Sequence, residues 1–125
     1  MMQRLGFLSA ALFAACLAAP AAAAELVMVE QRGCLYCKMW HDDVGPEEYA
    51  LTPEGAAAPL RRIDLRPPHP AELTVAGPLR ITPTFVLVKD GVEVARLEGY
   101  PGEDFFWGLL GRMLSEHTDY EGGTP

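Results

Sequence analysis

The stretch Thr84-Phe85-Val86-Leu87-Val88, followed by Asp90-Gly91 and then by Val92 to Glu98, constrains this chain more than any other. A continuous apolar run bounded by turn residues reads as a buried strand. Asp-Gly between two such runs is the chemistry of a tight hairpin, whose central residues need positive φ. Around this hairpin the other elements can be placed by period. Leu26 to Gln31 reads as a short apolar strand broken at Gly33. From Leu35 to Val44, Tyr36, Trp40 and Val44 recur every fourth residue, a helical pattern that stops at Gly45-Pro46. Thr52-Pro53-Glu54 has the form of an N-cap followed by proline at the first helical position, which predicts a short helix there.

Leu60 to Leu65 reads as a second strand, closed by Pro67-Pro68, and a short helix is expected from Pro70 to Ala76. The last helix opens with Glu103 and Asp104, acids suited to the positive end of a helix dipole. Its apolar face is Phe106, Leu109, Leu110, Met113 and Leu114. Gly108 and Gly111 interrupt it, which predicts close packing of that helix on the sheet. The expected order is strand, helix, strand, helix, strand, strand, helix (βαβαββα), an α/β chain with a four-stranded sheet.

The first residues do not belong to that domain. Arg4 is followed by the apolar run Leu5 to Leu17, then Pro20 and Ala22-Ala23-Ala24 before Glu25. Charge, short apolar core and small residues in that order read as an export signal, too short to span a bilayer. Residues 1–24 are therefore expected to be the signal, 25–116 the domain and 117–125 a flexible tail. Cys16, after Phe13-Ala14-Ala15, admits a second reading as a lipid-anchoring cysteine. The whole chain carries a formal net charge of −7, which argues against nucleic acid or an anionic membrane surface as partner.

Three cysteines are present and two remain after the expected cleavage, Cys34 and Cys37. Residues three apart on a helix share a face, close enough for their sulfurs to bond. Cys34 falls where strand gives way to helix, and there the unpaired backbone N–H groups favour a thiolate. Arg32 and Lys38 push the same way. One exposed thiolate with one shielded thiol a turn inside is what disulfide exchange requires. A stabilising staple is the plainer reading, but a four-residue ring yields only about 2 kcal/mol against nearly 5 for a ring of 100 residues. A metal reading would join Cys34, Cys37 and His41 to zinc or copper, with His69 or His117 as a fourth ligand. No cofactor or metal is expected.

With Cys34-x-x-Cys37 at the first strand-to-helix junction, the chain resembles the compact thioredoxin superfamily. Ile81-Thr82-Pro83-Thr84 matches the family's cis-proline before the third strand. More narrowly it is similar to the periplasmic SoxS-type thioredoxins of bacterial sulfur oxidation. The matching stretches are 33–37, 82–88 and 98–107. The resemblance implies a mixed four-stranded sheet flanked by helices and a monomeric thiol–disulfide oxidoreductase. It implies that Pro83 faces the cysteines and that the Thr82 backbone holds a substrate segment as an added strand. It further implies a reductant for the cysteine of the SoxYZ sulfur carrier, recharged by a membrane donor of the CcdA or SoxV type. Alternatives within the fold are a general thiol oxidase or isomerase for secreted proteins and a reductase of cytochrome c maturation.

Where thioredoxin has a buried aspartate six residues before its first cysteine, this chain has Met28. Glu30 shares the strand parity of Met28 and is a candidate for proton handling at Cys37, or else a solvated strand end. Trp40 and Tyr36 read as core packing, with Tyr36 able to shape access to Cys34.

Overall fold

A computed structural model describes residues 6, 10–15 and 23–122. Most of the expected export signal, Cys16 included, lies outside the described residues, as do residues 123–125. Residues 10–15 carry no regular secondary structure, and Leu12 and Phe13 are exposed. Among the described residues no helix is long and apolar enough to cross a membrane.

Strand β1 (Ala24–Glu30) leads through a short loop into α1 (Leu35–Asp43), α2 (Gly45–Ala50) and α3 (Pro53–Ala57). Then come β2 (Leu60–Asp64), β3 (Thr84–Lys89), β4 (Val92–Glu98) and α4 (Glu103–His117). The sheet order is β2-β1-β3-β4, with β1 parallel to β2 and antiparallel to β3, and β3 antiparallel to β4. The hairpin forms as expected: Lys89 pairs with Val92, and Asp90 and Gly91 have φ of 52° and 81°. A Cβ on Gly91 would lie 2.4 Å from the Glu72 carbonyl oxygen, so this turn needs glycine for space as well as for φ.

Two of the sequence expectations for helices hold, and one fails. Thr52 caps α3, its Oγ1 accepting from the Gly55 N–H at 3.0 Å. Gly45-Pro46 ends α1 and at once begins α2, with proline in the first turn, where its missing N–H costs nothing. The helix expected from Pro70 to Ala76 does not form. Thr74 instead makes a bridge to Val92, donating its N–H to Gly91 O at 2.7 Å and accepting from Glu93 N–H at 2.8 Å. The free edge of β4 satisfies backbone groups that a short, proline-bounded helix would have left open. Arg96 secures the same segment, its guanidinium donating to the carbonyls of Gly77 and Pro78 at 3.1 and 3.0 Å.

The consequence is an asymmetric domain. Strand alternation sends Leu26, Met28, Phe85 and Leu87 to one face, where they pack with Trp40 of α1, Tyr49 of α2 and Phe106, Leu110 and Leu114 of α4. Phe106 is fully buried, 4.9 Å from Phe85 and 6.0 Å from Trp40 between ring centres. Val27, Val29, Val86 and Val88 turn to the other face and are covered by Leu65, Leu73 and Leu79 of the irregular segment. Of the expected tail, His117 is the last residue of α4, and Tyr120 returns to the core edge, donating its hydroxyl to Glu54 at 2.8 Å.

Gly108 and Gly111 do not serve the close approach expected of them, since no neighbour lies within 4 Å of a Cβ built at either. Gly108→Ala should therefore raise stability by about 0.5–1 kcal/mol, the helix-propensity gain alone. Urea denaturation checks it, and a loss would show that the site is sterically closed.

Two buried phenols add a pH dependence. Burial raises the pKa of Tyr49, with Glu54 adding to it, and burial followed by the Asp43 contact raises that of Tyr100. The folded state thus holds these protons more tightly than the unfolded chain. Their stabilisation is full below the ordinary phenol range of about 10 and drains away as pH rises beyond it. Stability measured from pH 9 to 12 should fall steeply, and less steeply in Tyr100→Phe; an unchanged slope in that variant would assign the fall to other groups.

Candidate functional site

The antiparallel pairing of β1 with β3 runs Val29 against Thr84, so the end of β1 abuts the start of β3. The loop leaving β1 and the loop entering β3 therefore meet. Gln31 Nε2 donates to Thr82 Oγ1 at 2.9 Å across that junction. The Thr82–Pro83 peptide is cis, with Thr82 half-buried and Pro83 buried. The Pro83 carbonyl accepts from Gly99 N–H at 2.7 Å, and Thr84 Oγ1 donates to Ile81 O at 2.5 Å, so the loop is held from both sides.

Gly33, at φ 75°, turns the chain so that Cys34 becomes the N-cap of α1. The two cysteines form a disulfide with Cα atoms 5.2 Å apart. Cys34 Sγ accepts the Cys37 backbone N–H at 3.1 Å, one of the orphan donors that a helix start leaves open. Cys34 is half-buried, whereas Cys37 is 4% exposed and packs in the core. Lys38 does not act on the sulfurs as a free cation, because it pairs with Asp42 at 2.5 Å along the helix.

The cysteines open on a cleft of about 530 Å³ lined also by Glu30, Lys38, His41 and Arg62. Glu30 ends β1 with its side chain only 16% exposed. One of its oxygens accepts from Arg62 Nε–H at 2.6 Å, and the other meets His41 Nε2. It is thus an enclosed, ion-paired carboxylate and not a solvated strand end. His41 is committed to Glu30, while His69 Nε2 lies 2.9 Å from the Leu65 carbonyl. Among the described residues no group of three or more His, Cys, Asp and Glu side chains is arranged to hold a metal ion.

On the other side of the Thr82–Pro83 loop lies a second cleft, also about 530 Å³, apolar in character and lined by Tyr36, Ile81, Thr82, Leu97, Tyr100 and Pro101. Trp40 is fully buried as expected, but Tyr36 is 54% exposed and borders this second cleft, so only one of the pair belongs to the core. Tyr100 fixes the cleft wall by donating its hydroxyl to Asp43 at 2.7 Å. Sequence reasoning did not find Arg62, Gln31 or the Tyr100–Asp43 contact. Each depends on register or loop packing between distant segments; only His41, four residues after Cys37 on one helix, had a signal in spacing.

The thioredoxin-like domain family model matches residues 15–114. No curated protein sequence matches the chain. Among solved structures, the reduced periplasmic thioredoxin SoxS from Paracoccus pantotrophus is 52% identical, with a TM-score of 0.71, covering 74% of this chain and 97% of that one. The cystine at the start of α1 is the redox centre that this kinship calls for. The chain belongs to the thioredoxin-like domain family and is a thiol–disulfide oxidoreductase.

Proposed function

We propose that this protein works in the periplasm as a reductant that keeps the cysteine of a sulfur-carrier complex, SoxYZ, free of unproductive disulfides. The observation that carries the reading is the division of the cysteine pair, one sulfur accessible at a helix N-cap and the other sealed in the core, in a chain 52% identical to a periplasmic thioredoxin SoxS. The signal-like residues 1–24 support the location.

In this reading Cys34 is the nucleophile. Its thiolate attacks the substrate disulfide, the first substrate sulfur leaves with the electron pair, and a mixed disulfide forms. Cys37, the resolving residue, loses its proton and attacks Cys34 Sγ. The second substrate sulfur leaves, and two electrons have passed from the cysteine pair to the substrate. The Thr82 backbone beside Pro83 holds the substrate segment as an added strand. Glu30, enclosed in the same cleft as Cys37, takes the proton. A membrane donor of the CcdA or SoxV type restores the dithiol.

Cys34→Ser should abolish insulin reduction, and Cys37→Ser should accumulate mixed disulfides with the carrier that dithiothreitol releases. Wild-type turnover in both variants would end the assignment. An equilibrium titration of the Cys34–Cys37 pair should give a potential near that of thioredoxin, about −270 mV. A value near −120 mV, that of a strong oxidant, would point to disulfide donation to secreted proteins and remove the carrier reading.

A further inference from the structure

The cleft beside the cysteines contains a charged cluster assembled from three elements. Glu30 comes from the end of β1, Arg62 from β2 and His41 from α1. Arg62 reaches the Glu30 carboxylate with Nε at 2.6 Å and Nη2 at 3.5 Å, one nitrogen on each oxygen. His41 meets one of those oxygens from the helix side. The two partners are more open to solvent than the group they grip, with side chains 52% and 26% exposed against 16% for Glu30. The His41 ring stands edge-on to the buried Trp40, with ring centres 5.3 Å apart. A carboxylate held from two sides in this way presents a single orientation to the cleft that it shares with Cys37.

We propose that His41 and Arg62 are positioning residues for the exchange reaction: they hold the Glu30 carboxylate toward the cysteine cleft, and the charge on His41 sets how readily Glu30 accepts the Cys37 proton. The inference rests on the proton-handling role of Glu30 proposed above. In the step concerned, the Cys37 S–H proton passes to a Glu30 oxygen as Cys37 Sγ attacks Cys34 Sγ. The Cys34–Cys37 bond forms, the bond from Cys34 to the substrate sulfur breaks, and that sulfur departs with the electron pair.

With His41 neutral, Arg62 alone balances Glu30. A protonated His41 places a second positive charge against the carboxylate and makes it a weaker base. Loss of that charge as the pH rises should therefore quicken the resolving step. The other charges around the cleft are Arg32 in the β1–α1 loop, Lys38 and Asp42 on α1, and Asp64 at the end of β2. The Asp64 carboxyl is held below its usual range by hydrogen bonds from the Arg66 backbone and side chain.

The test is a rapid-mixing reaction of the reduced protein with Ellman's reagent, in which the first thiolate released reports attack by Cys34 and the second reports resolution by Cys37. In the wild type the second phase should rise with pH. His41→Leu should slow the second phase about tenfold at pH 7 and flatten its profile, as expected for a misplaced general base. His41→Gln restores an N–H donor, and should recover most of the rate while the profile stays flat. Arg62→Met should slow the second phase and Arg62→Lys should recover part of it. Glu30→Gln/His41→Leu should be no slower than Glu30→Gln alone, because both changes act at one carboxylate.

A pH step that survives in His41→Gln, or losses that multiply in the double variant, would overturn the proposal. A slow Glu30→Gln beside an unaffected His41→Leu would overturn it while leaving the role of Glu30 intact. A Glu30→Gln variant with wild-type rate and profile would remove that role and this inference with it.

Discussion

The antiparallel pairing of β1 with β3 is the constraint on which the site depends. Pairing of Val29 with Thr84 in the ladder brings the exit of one strand beside the entrance of the other. The Gly33–Cys34 loop and the Thr82–Pro83 loop, about fifty residues apart in the chain, then have no choice but to meet. Because both strands are central in the sheet and buried on both faces, a slip of one residue would turn every side chain to the wrong core. The site inherits its precision from that register and not from the loops themselves.

What surrounds the cysteines is divided by the same loop. One side is apolar and exposed, bordered by Tyr36, Ile81 and Pro101. The other is a charged recess of Glu30, His41 and Arg62. The cysteine pair lines the charged recess, and the apolar cleft begins at Tyr36, between the two cysteines in the chain. Thioredoxin places a buried aspartate beneath its pair; here Met28 fills that position in the core. Two residues along the same strand, at its end, Glu30 is enclosed with Arg62 and His41 against it, contacts that offset the cost of enclosing a carboxylate.

Local patterns were the most legible part of the fold. The hairpin at Asp90-Gly91, the Thr52 cap and the stop at Gly45-Pro46 all rest on short-range chemistry that acts within a few residues. The helix expected at Pro70 to Ala76 failed for the converse reason. Although Ala71, Glu72, Leu73 and Ala76 favour helix, one or two turns are costly to nucleate, and the open edge of β4 offered Thr74 better-placed partners. Likewise Gly108 and Gly111 suggested close packing by composition, yet no neighbour lies within 4 Å of a Cβ built at either. Tyr36 shared a helical period with Trp40, but it lies at the first turn, where the helix projects beyond the core.

The amino-acid sequence by itself determined the chemistry: two cysteines one turn apart at a helix start, a Thr-Pro just before a buried strand, and a strand pattern that admits few folds. These follow from spacing along the backbone, which no tertiary contact can alter. Only the tertiary structure decided what accompanies that chemistry. The grip of Arg62 and His41 on Glu30 and the Gln31–Thr82 and Tyr100–Asp43 contacts join residues 11 to 57 positions apart, and Cys37 is more deeply packed than period alone implies. Such pairings arise from strand register and helix docking, which are set by the burial of the whole core and leave no mark on any short stretch of sequence.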